Sequence, residues 1–399
     1  HNAIDLRVAR GSAQGAAFGE LRERLAASAA KPFAELAITA HNLDRLYHVD
    51  RVAVDHETRI ETPVIEAGGS GANTAFALGR LGMPVAVAGI VADDRDGAVL
   101  RQSLAQEQVD ASQLLVLPTD LAEARTGYAI IFSDRRGRRS IYVHAGINEH
   151  LARAIGARPG GEGQLIEMGS QARLVHFSSF TGHAERVLQE TILTGLPDDV
   201  LVSFDPGALY APLGLDRLAP FILRCDVLHV YERQLREMIA NSSAEPVAHQ
   251  REHSFRADIE GLFQWRAARG DRRPLMVLLK RHRSATLRSE SRAQGLDFVT
   301  LAVGRSSVEA LVSTQARGSL VAGVQDSTGA GDAMAAGVHF GLLNGATAAE
   351  CADLAFLMAM ECTSEVGTRS GLPRRSALGP AWARYFPGAE IPAWLSPVR

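Results

Sequence analysis

The run Asp326-Ser327-Thr328-Gly329-Ala330-Gly331-Asp332 carries the strongest chemical signal in the chain. Gly329, Ala330 and Gly331 leave their backbone N–H groups unobstructed, and the small apolar residues that follow, AMAAGVHFGLLNG, read as a helix. Unpaired amides and the helix dipole both favour negative charge at a helix N-terminus, so this point suits phosphate oxygens. Asp332 falls in the first turn, beside that anion site. A carboxylate there can take the proton of an attacking hydroxyl, as phosphoryl transfer requires. The plain alternative is a capped helix after a glycine turn, with Asp332 complementing the dipole. Seven ordered residues favour the chemical reading; a bare GxGD would not.

The elements that must position this run follow an α/β rhythm. Residues 34–40 (AELAITA) read as a buried strand ending in the polar turn His41-Asn42-Leu43-Asp44. Gly68-Gly69-Ser70-Gly71 opens a helix over 72–81, Gly82 stops it, and 85–91 (VAVAGIV) is a second buried strand. Strand–helix–strand order predicts a mainly parallel sheet. Residues 51–66 alternate apolar and polar, and 126–132 and 139–143 flank a Ser-Asp-Arg-Arg-Gly turn, so these segments predict a small separate sheet. From Leu174 the α/β pattern resumes with LVHFSSF, a helix near 184–194, VLVSFDPG, another helix and DVLHVYE. The polar stretches 241–256 and 281–297 read as surface insertions, and the basic cluster at 280–292 as a solvated loop.

Composition bounds the function. The chain has 399 residues, 46% hydrophobic and 22% charged, enough for a large core. A net charge of −3 supplies no field for a nucleic-acid backbone. The apolar stretch 74–92 is interrupted by Arg80, Pro84 and glycines, which argues against a membrane span. Cys225, Cys351 and Cys362 have no CxxC spacing; they read as small buried hydrophobes in a reducing cytoplasm. Residues 1–30 hold no apolar segment of signal-peptide type.

DSTGAGD resembles the signature of the ribokinase family, also called the PfkB family of carbohydrate and nucleoside kinases. Gly68-Gly69-Ser70-Gly71-Ala72-Asn73-Thr74-Ala75 is similar to its second signature, and Gly89 to Gly97 to its G-x-V-G-x-D-x-x-G run, with Ala92 replacing a glycine. The matches keep family order over about 34–375. The resemblance implies a three-layer α/β/α, Rossmann-like fold with a β-sheet lid (about 51–66 and 126–143). The kinase domain would span 34–385, between an N-terminal extension (1–33) and a C-terminal tail (386–399). It implies an ATP-dependent kinase with Asp332 as base and the amides of Gly329, Ala330 and Gly331 as anion hole. Asn42, Asp44, Gly69, Ser70 and Asn73 would hold substrate hydroxyls. Asp326 and Thr328, with carbonyls of Val366, Arg369 and Gly371, would form a potassium site, and Mg2+ would travel with ATP. Lid strands would pair two subunits in a homodimer.

The chain departs from that pattern in two places. Where the family carries N-x-x-E it reads Tyr231-Glu232-Arg233-Gln234, leaving Gln234 as the nucleotide-side contact. The T-L-G-x-x-G strand falls on 278–287 or 300–307, and only the second keeps a glycine, Gly304. Ribose-specific members carry a lysine where Ser70 stands and a glutamate near Ser179, so a ribose-only enzyme is not expected. The expectation is a sugar kinase. The alternatives are a nucleoside kinase, with Tyr128, Tyr142, Phe177 and Phe180 as purine platforms, and a ligand-binding member with weakened turnover. A Rossmann oxidoreductase lacks its GxGxxG after the first strand.

Overall fold

The computed structural model describes residues 15–52, 54–55, 57–119, 125–134, 139–242, 254–280, 299–314 and 325–395. Among them, the strands in chain order are β1 (Phe33–Ile38), β2 (Asn42–Val49), β3 (Val64–Gly68), β4 (Val85–Ala92), β5 (Asp110–Leu117), β6 (Gly127–Asp134), β7 (Arg139–His144), β8 (Ala172–Ser178), β9 (Leu201–Asp205), β10 (Val227–Tyr231), β11 (Leu275–Lys280), β12 (Val299–Gly304) and β13 (Val308–Thr314). Nine form one sheet in the order β13-β12-β11-β10-β9-β8-β1-β4-β5. It is parallel from β11 to β5, and β12 and β13 run antiparallel at one edge. Helices cover both faces over separate apolar cores, giving three layers. That is why β4, and β11 up to its closing Lys280, read as unbroken apolar runs.

The lid is a second sheet, β3-β2-β6-β7. Strands β6 and β7 fall where the hairpin pattern put them. The 51–66 expectation fails over most of its length: only the residues from Val64 onward are strand, and 57–62 are exposed coil. Alternation without a buried face gives a strand nothing to pack against. Residues 42–49, expected to start as a turn, instead form β2, held between β3 and β6 with Leu43, Leu46 and Val49 buried.

The first and last described segments both belong to the packed body. The helix Ala16–Ala27 buries Phe18, Leu21 and Leu25, and Phe386 and Leu395 join the same core. The insertion at 281–297, and most of that at 241–256, lie outside the described residues. All three cysteines are buried, and burial raises each thiol's pKa, Cys225 to about 12.

The helix Ala330–Leu343 is buried on every side except at Asp332. Its small residues let the helix Ala348–Cys362 approach closely: a Cβ on Gly337 would stand 2.8 Å from Ala355 Cα. Against the sheet it meets a buried polar layer. His339 Nδ1 lies 2.7 Å from Glu35 Oε2 of β1. Ser203 Oγ of β9 lies 2.8 Å from His339 Nε2, 2.9 Å from His229 Nε2 and 2.9 Å from His176 Nδ1. His229 Nε2 also lies 2.9 Å from His339 Nε2. His339 donates to Glu35, His176 and His229 donate to Ser203, and the serine hydroxyl donates to His339 Nε2.

That layer makes stability depend on pH. Burial is the main cause that holds His176 at about 4 and His229 well below the ordinary histidine value. Below pH 6.5 the unfolded chain therefore binds protons that the folded chain refuses, and stability falls as pH drops. The expected outcome is a melting temperature that is flat above pH 7 and declines from 6.5 towards 4. His176→Gln flattens part of that decline in the same melting series.

Candidate active site

The parallel strands end on one edge of the sheet, the usual place for ligands in an α/β fold. Ile38, Ser178, Asp205, Tyr231 and Lys280 are the last residues of β1, β8, β9, β10 and β11. The helix Ser70–Arg80 and the helix Ala330–Leu343 both start there. Gly69 has φ 97°, and a Cβ on it would collide with the Ala40 carbonyl. Gly329 has φ 79°, and a Cβ on it would stand 2.8 Å from Thr368 O. Only glycine suits either turn.

Among the described residues, the amides that open the second helix have few backbone partners. Its first regular backbone bond is Ala333 N–H to Gly329 O, preceded only by a 3.4 Å contact from Ala330 N–H to Ser327 O. Asp332 sits beside these amides. Its Oδ1 accepts from the Ser70 hydroxyl at 2.8 Å and its Oδ2 from Asn73 Nδ2 at 2.9 Å. Burial raises its pKa to about 6, against the bonds from Asn73 and Ser70 and the positive charge of Lys280. The carboxylate is thus ionised near neutrality yet still basic, as a general base should be.

The polar set expected to hold substrate lies around this acid. Asn42 pairs with Gly68 in the lid register, and its Oδ1 accepts from Asn148 Nδ2 at 3.0 Å. Asp44 is buried against Gly68. Burial raises Asp44 to about 7; Arg369 opposes this, and the charges of Asp332, Glu66 and Asp326 add to it. Asn73 and Ser70 hold Asp332 itself, and Asn73 Oδ1 also accepts from Arg369 Nε at 2.8 Å.

Other expected residues fall differently. Gln234 caps its own helix, its side-chain oxygen accepting from Tyr231 N–H at 2.9 Å. Gly304 is not a nucleotide contact. Strand β12 runs antiparallel to β11, so Gly304 pairs with Leu275, at the sheet end opposite Lys280. The cation set is only partly assembled. Asp326 accepts from Thr328 N–H at 3.0 Å, Thr328 hydroxyl at 2.8 Å and Gly367 N–H at 3.2 Å, which joins it to the 366–371 loop. The Arg369 carbonyl, however, accepts from Arg80 Nη1 and Leu372 N–H, and a Cβ on Gly371 would meet the Glu361 carbonyl. Potassium does not fit this loop, where the Arg369 carbonyl is already bonded twice and the buried Arg369 guanidinium supplies positive charge. Phe177 and Phe180 are wholly buried in the core and are not purine platforms, while Tyr142 is 62% exposed. Tyr128 stacks on His144 at 4.9 Å and lies under Arg45.

Sequence reasoning missed several site residues. Arg369 reaches Asn73, Ser103 and the Gly68 carbonyl from within the expected cation loop. Glu66 of the lid accepts from Thr368 N–H at 2.8 Å and from the Ser370 hydroxyl. Arg139 of β7 donates from Nη1 to the Ser327 carbonyl at 2.7 Å. Lys280 forms a 2.8 Å ion pair with Asp205. A charged residue closing an apolar strand, as in LMVLLK and LVSFD, was the available signal for the last pair.

The fold and sequence have known counterparts. The profile of the pfkB family carbohydrate kinases matches residues 39–174 and 293–375. An uncharacterized sugar kinase of Archaeoglobus fulgidus is 29% identical over 302 residues, covering 74% of this chain and 98% of that protein. An ATP-dependent ribose-1-phosphate kinase of Halopiger xanaduensis is 27% identical over 199 residues, covering 50% and 61%. Among solved structures, a Burkholderia thailandensis nucleoside kinase in complex with inosine superposes with a TM-score of 0.64 at 16% identity, over 88% of this chain and 99% of that one. A Cryptococcus neoformans ribokinase in complex with ADP gives 0.63 at 19% identity, over 87% and 98%. Family match, fold and the place of DSTGAGD in it agree: this chain belongs to the pfkB family of carbohydrate kinases.

Proposed function

We propose that this chain transfers the γ-phosphoryl group of Mg-ATP to a hydroxyl of a small neutral sugar. The observation that carries the reading is the meeting of Asp332, held by Ser70 and Asn73, with the free amides at the start of its own helix. Asp332 takes the hydroxyl proton as the new O–P bond forms. The bond from the γ-phosphorus to the bridging oxygen breaks, and ADP leaves. The amides of Gly329, Ala330 and Gly331 face the charge on the transferring group, which is worth most where it is fixed in advance. Asn42 and Asp44 are placed to hold the other hydroxyls of the acceptor.

Two features favour a sugar over a nucleoside. The expected purine platforms Phe177 and Phe180 are core residues. The cleft instead offers polar groups spaced for a polyol. Asp44, Glu66, Asp326 and Asp332 crowd one side, so an acceptor that is already phosphorylated would add charge where carboxylates are gathered. The relatives' ATP, ADP, ribose-1-phosphate and inosine point to a shared nucleotide chemistry and a varied acceptor.

ATP turnover measured against neutral sugars, sugar phosphates and nucleosides tests the substrate. A neutral sugar should give the highest kcat/KM, and a nucleoside that exceeds every sugar by tenfold would overturn that choice. Asp332→Asn should lower kcat at least about 100-fold, the scale of a lost general base, with the melting temperature little changed. In the unaltered enzyme kcat/KM should fall on the acid side of pH 6, as Asp332 takes up its proton. Lys280, Asp205, Asp44 and Arg369 are the charged groups that set where this limb lies.

The outer lid supports one further part of the reading, a homodimer of two copies. Ile65 is 54% exposed on β3, and Ile141, Tyr142 and Val143 are exposed on β7. Sedimentation should show a dimer that Tyr142→Arg shifts to monomer; a monomer at all concentrations would remove the lid contact.

A further inference from the structure

Beneath the anion-hole helix the ends of β9, β10 and β11 bring together Asp205, Tyr231 and Lys280. Lys280 is only 2% exposed. Its Nζ lies 2.8 Å from Asp205 Oδ2 and 5.3 Å from the centre of the Tyr231 ring. A Cβ added to Gly331 would stand 3.3 Å from Lys280 Nζ and 2.8 Å from the Tyr231 hydroxyl. The ammonium is therefore packed against the glycine whose amide belongs to the anion hole. Asp205 is itself fixed, its Oδ1 accepting from Gly207 N–H at 2.9 Å.

The surroundings say why a charge belongs here. The resemblance leads to an asparagine and a glutamate at the end of β10, which would order magnesium-bound water and phosphates. This chain has Tyr231 and Gln234 there, and Gln234 is spent on its own helix cap. Glu232, next along, pairs with Arg236. Transfer of a phosphoryl group spreads negative charge over its equatorial oxygens, and something must meet it. A buried lysine–aspartate pair is a weak device for stability, since the desolvation of both charges offsets most of their attraction. At the floor of an anion site it has a use.

Resting on the kinase reading above, we propose that Lys280 is a catalytic residue that donates to the transferring phosphoryl group, with Asp205 as its positioning residue. An ammonium has three N–H donors, and the carboxylate of Asp205 needs one. Burial alone would discharge the lysine. Asp205, Tyr231 and Asp332 outweigh that effect and hold its pKa above the ordinary value. The lysine is therefore charged throughout the working range.

The test uses the full-length chain with Lys280→Met, Lys280→Arg and the double variant Lys280→Met/Asp205→Leu. The double variant removes both charges of the buried pair, which folds tolerate better than one stranded charge. The proposal expects kcat to fall about 100-fold or more in Lys280→Met and in the double variant, with KM for the sugar within about threefold. Lys280→Arg recovers part of the loss. The acid limb of kcat/KM moves to higher pH, because Asp332 loses a facing cation while Asp205, Asp44 and Arg369 remain as its charged neighbours. In the double variant Asp205 is gone as well, so the limb moves less.

A second readout needs no acceptor. AMP-PNP carries the terminal phosphoryl group and ADP does not. Calorimetry should show the preference for AMP-PNP over ADP falling about tenfold in the double variant, the scale of one charge-assisted hydrogen bond. That result supports the lysine contact even if no sugar is ever turned over, so failure of the acceptor assignment stays separate. An unchanged AMP-PNP preference, or kcat within threefold of the parent enzyme with an unmoved limb and only a lower melting temperature, would make the pair structural and overturn the proposal.

Discussion

Everything in the cleft depends on leaving the first amides of one helix short of regular backbone partners while burying the carboxylate beside them. Helix starts ordinarily fill such amides with a capping side chain or a preceding carbonyl. Gly329 caps without a side chain, and regular bonding begins only at Ala333. The carboxylate that could fold back onto those amides is Asp332, and it is held away from them by Ser70 and Asn73 of a second helix. Two helix starts are thus needed for one base. The glycine turns at 69 and 329 are what let them meet.

Charge balance shapes the remainder. Burial pushes Asp44 to about 7 and Asp332 to about 6, while Arg369 is pulled down to about 10 by its own burial against the attraction of Asp44, Glu66 and Asp332. Each of these groups is tuned by the others, so none can be read as an isolated residue. Arg369 stands on the carboxylate-rich side of the cleft and Lys280 under the anion hole. With a cation on each side, the acids can stay close together without all being forced neutral.

Much of this was legible from the chain because its parts are local. DSTGAGD and GGSGANTA are contiguous, and each encodes a turn and a helix start that need no distant partner to recognise. The apolar runs that became β1, β4, β8, β9 and β10 were legible for the same reason. What was lost depends on pairing between distant segments. Lys280 and Asp205 are 75 positions apart; each closes an apolar strand, but neither segment shows that the two meet. Gly304 looked like a nucleotide glycine because the reversal of β12 against β11 leaves no mark on composition. The lid misled through periodicity: 51–66 alternates, yet only its end finds a neighbouring strand, while the polar run Asn42–Val49 becomes a strand because two neighbours hold it. Arg369 was counted for its carbonyl, and its guanidinium turned out to be the group that reaches Asn73.

The lid and the phosphate end of the site are one mechanical unit. Arg139 of β7 donates to the Ser327 carbonyl, in the loop that delivers the free amides. Glu66 of β3 holds the amide of Thr368, in the loop that packs on Gly329. Asp94 caps the helix Arg95–Gln106 and also bonds the amide and hydroxyl of Thr126, just ahead of β6. Withdrawal of the lid from the sheet must therefore break bonds that shape the loops ahead of and beside the helix Ala330–Leu343. On the kinase reading proposed above, a phosphoryl group bound without a settled lid would meet a loosened loop, and water would compete poorly for it. In the proposed reaction, contacts that close over an acceptor would thus also assemble the groups that act on it, which is the general way a lid favours transfer over hydrolysis.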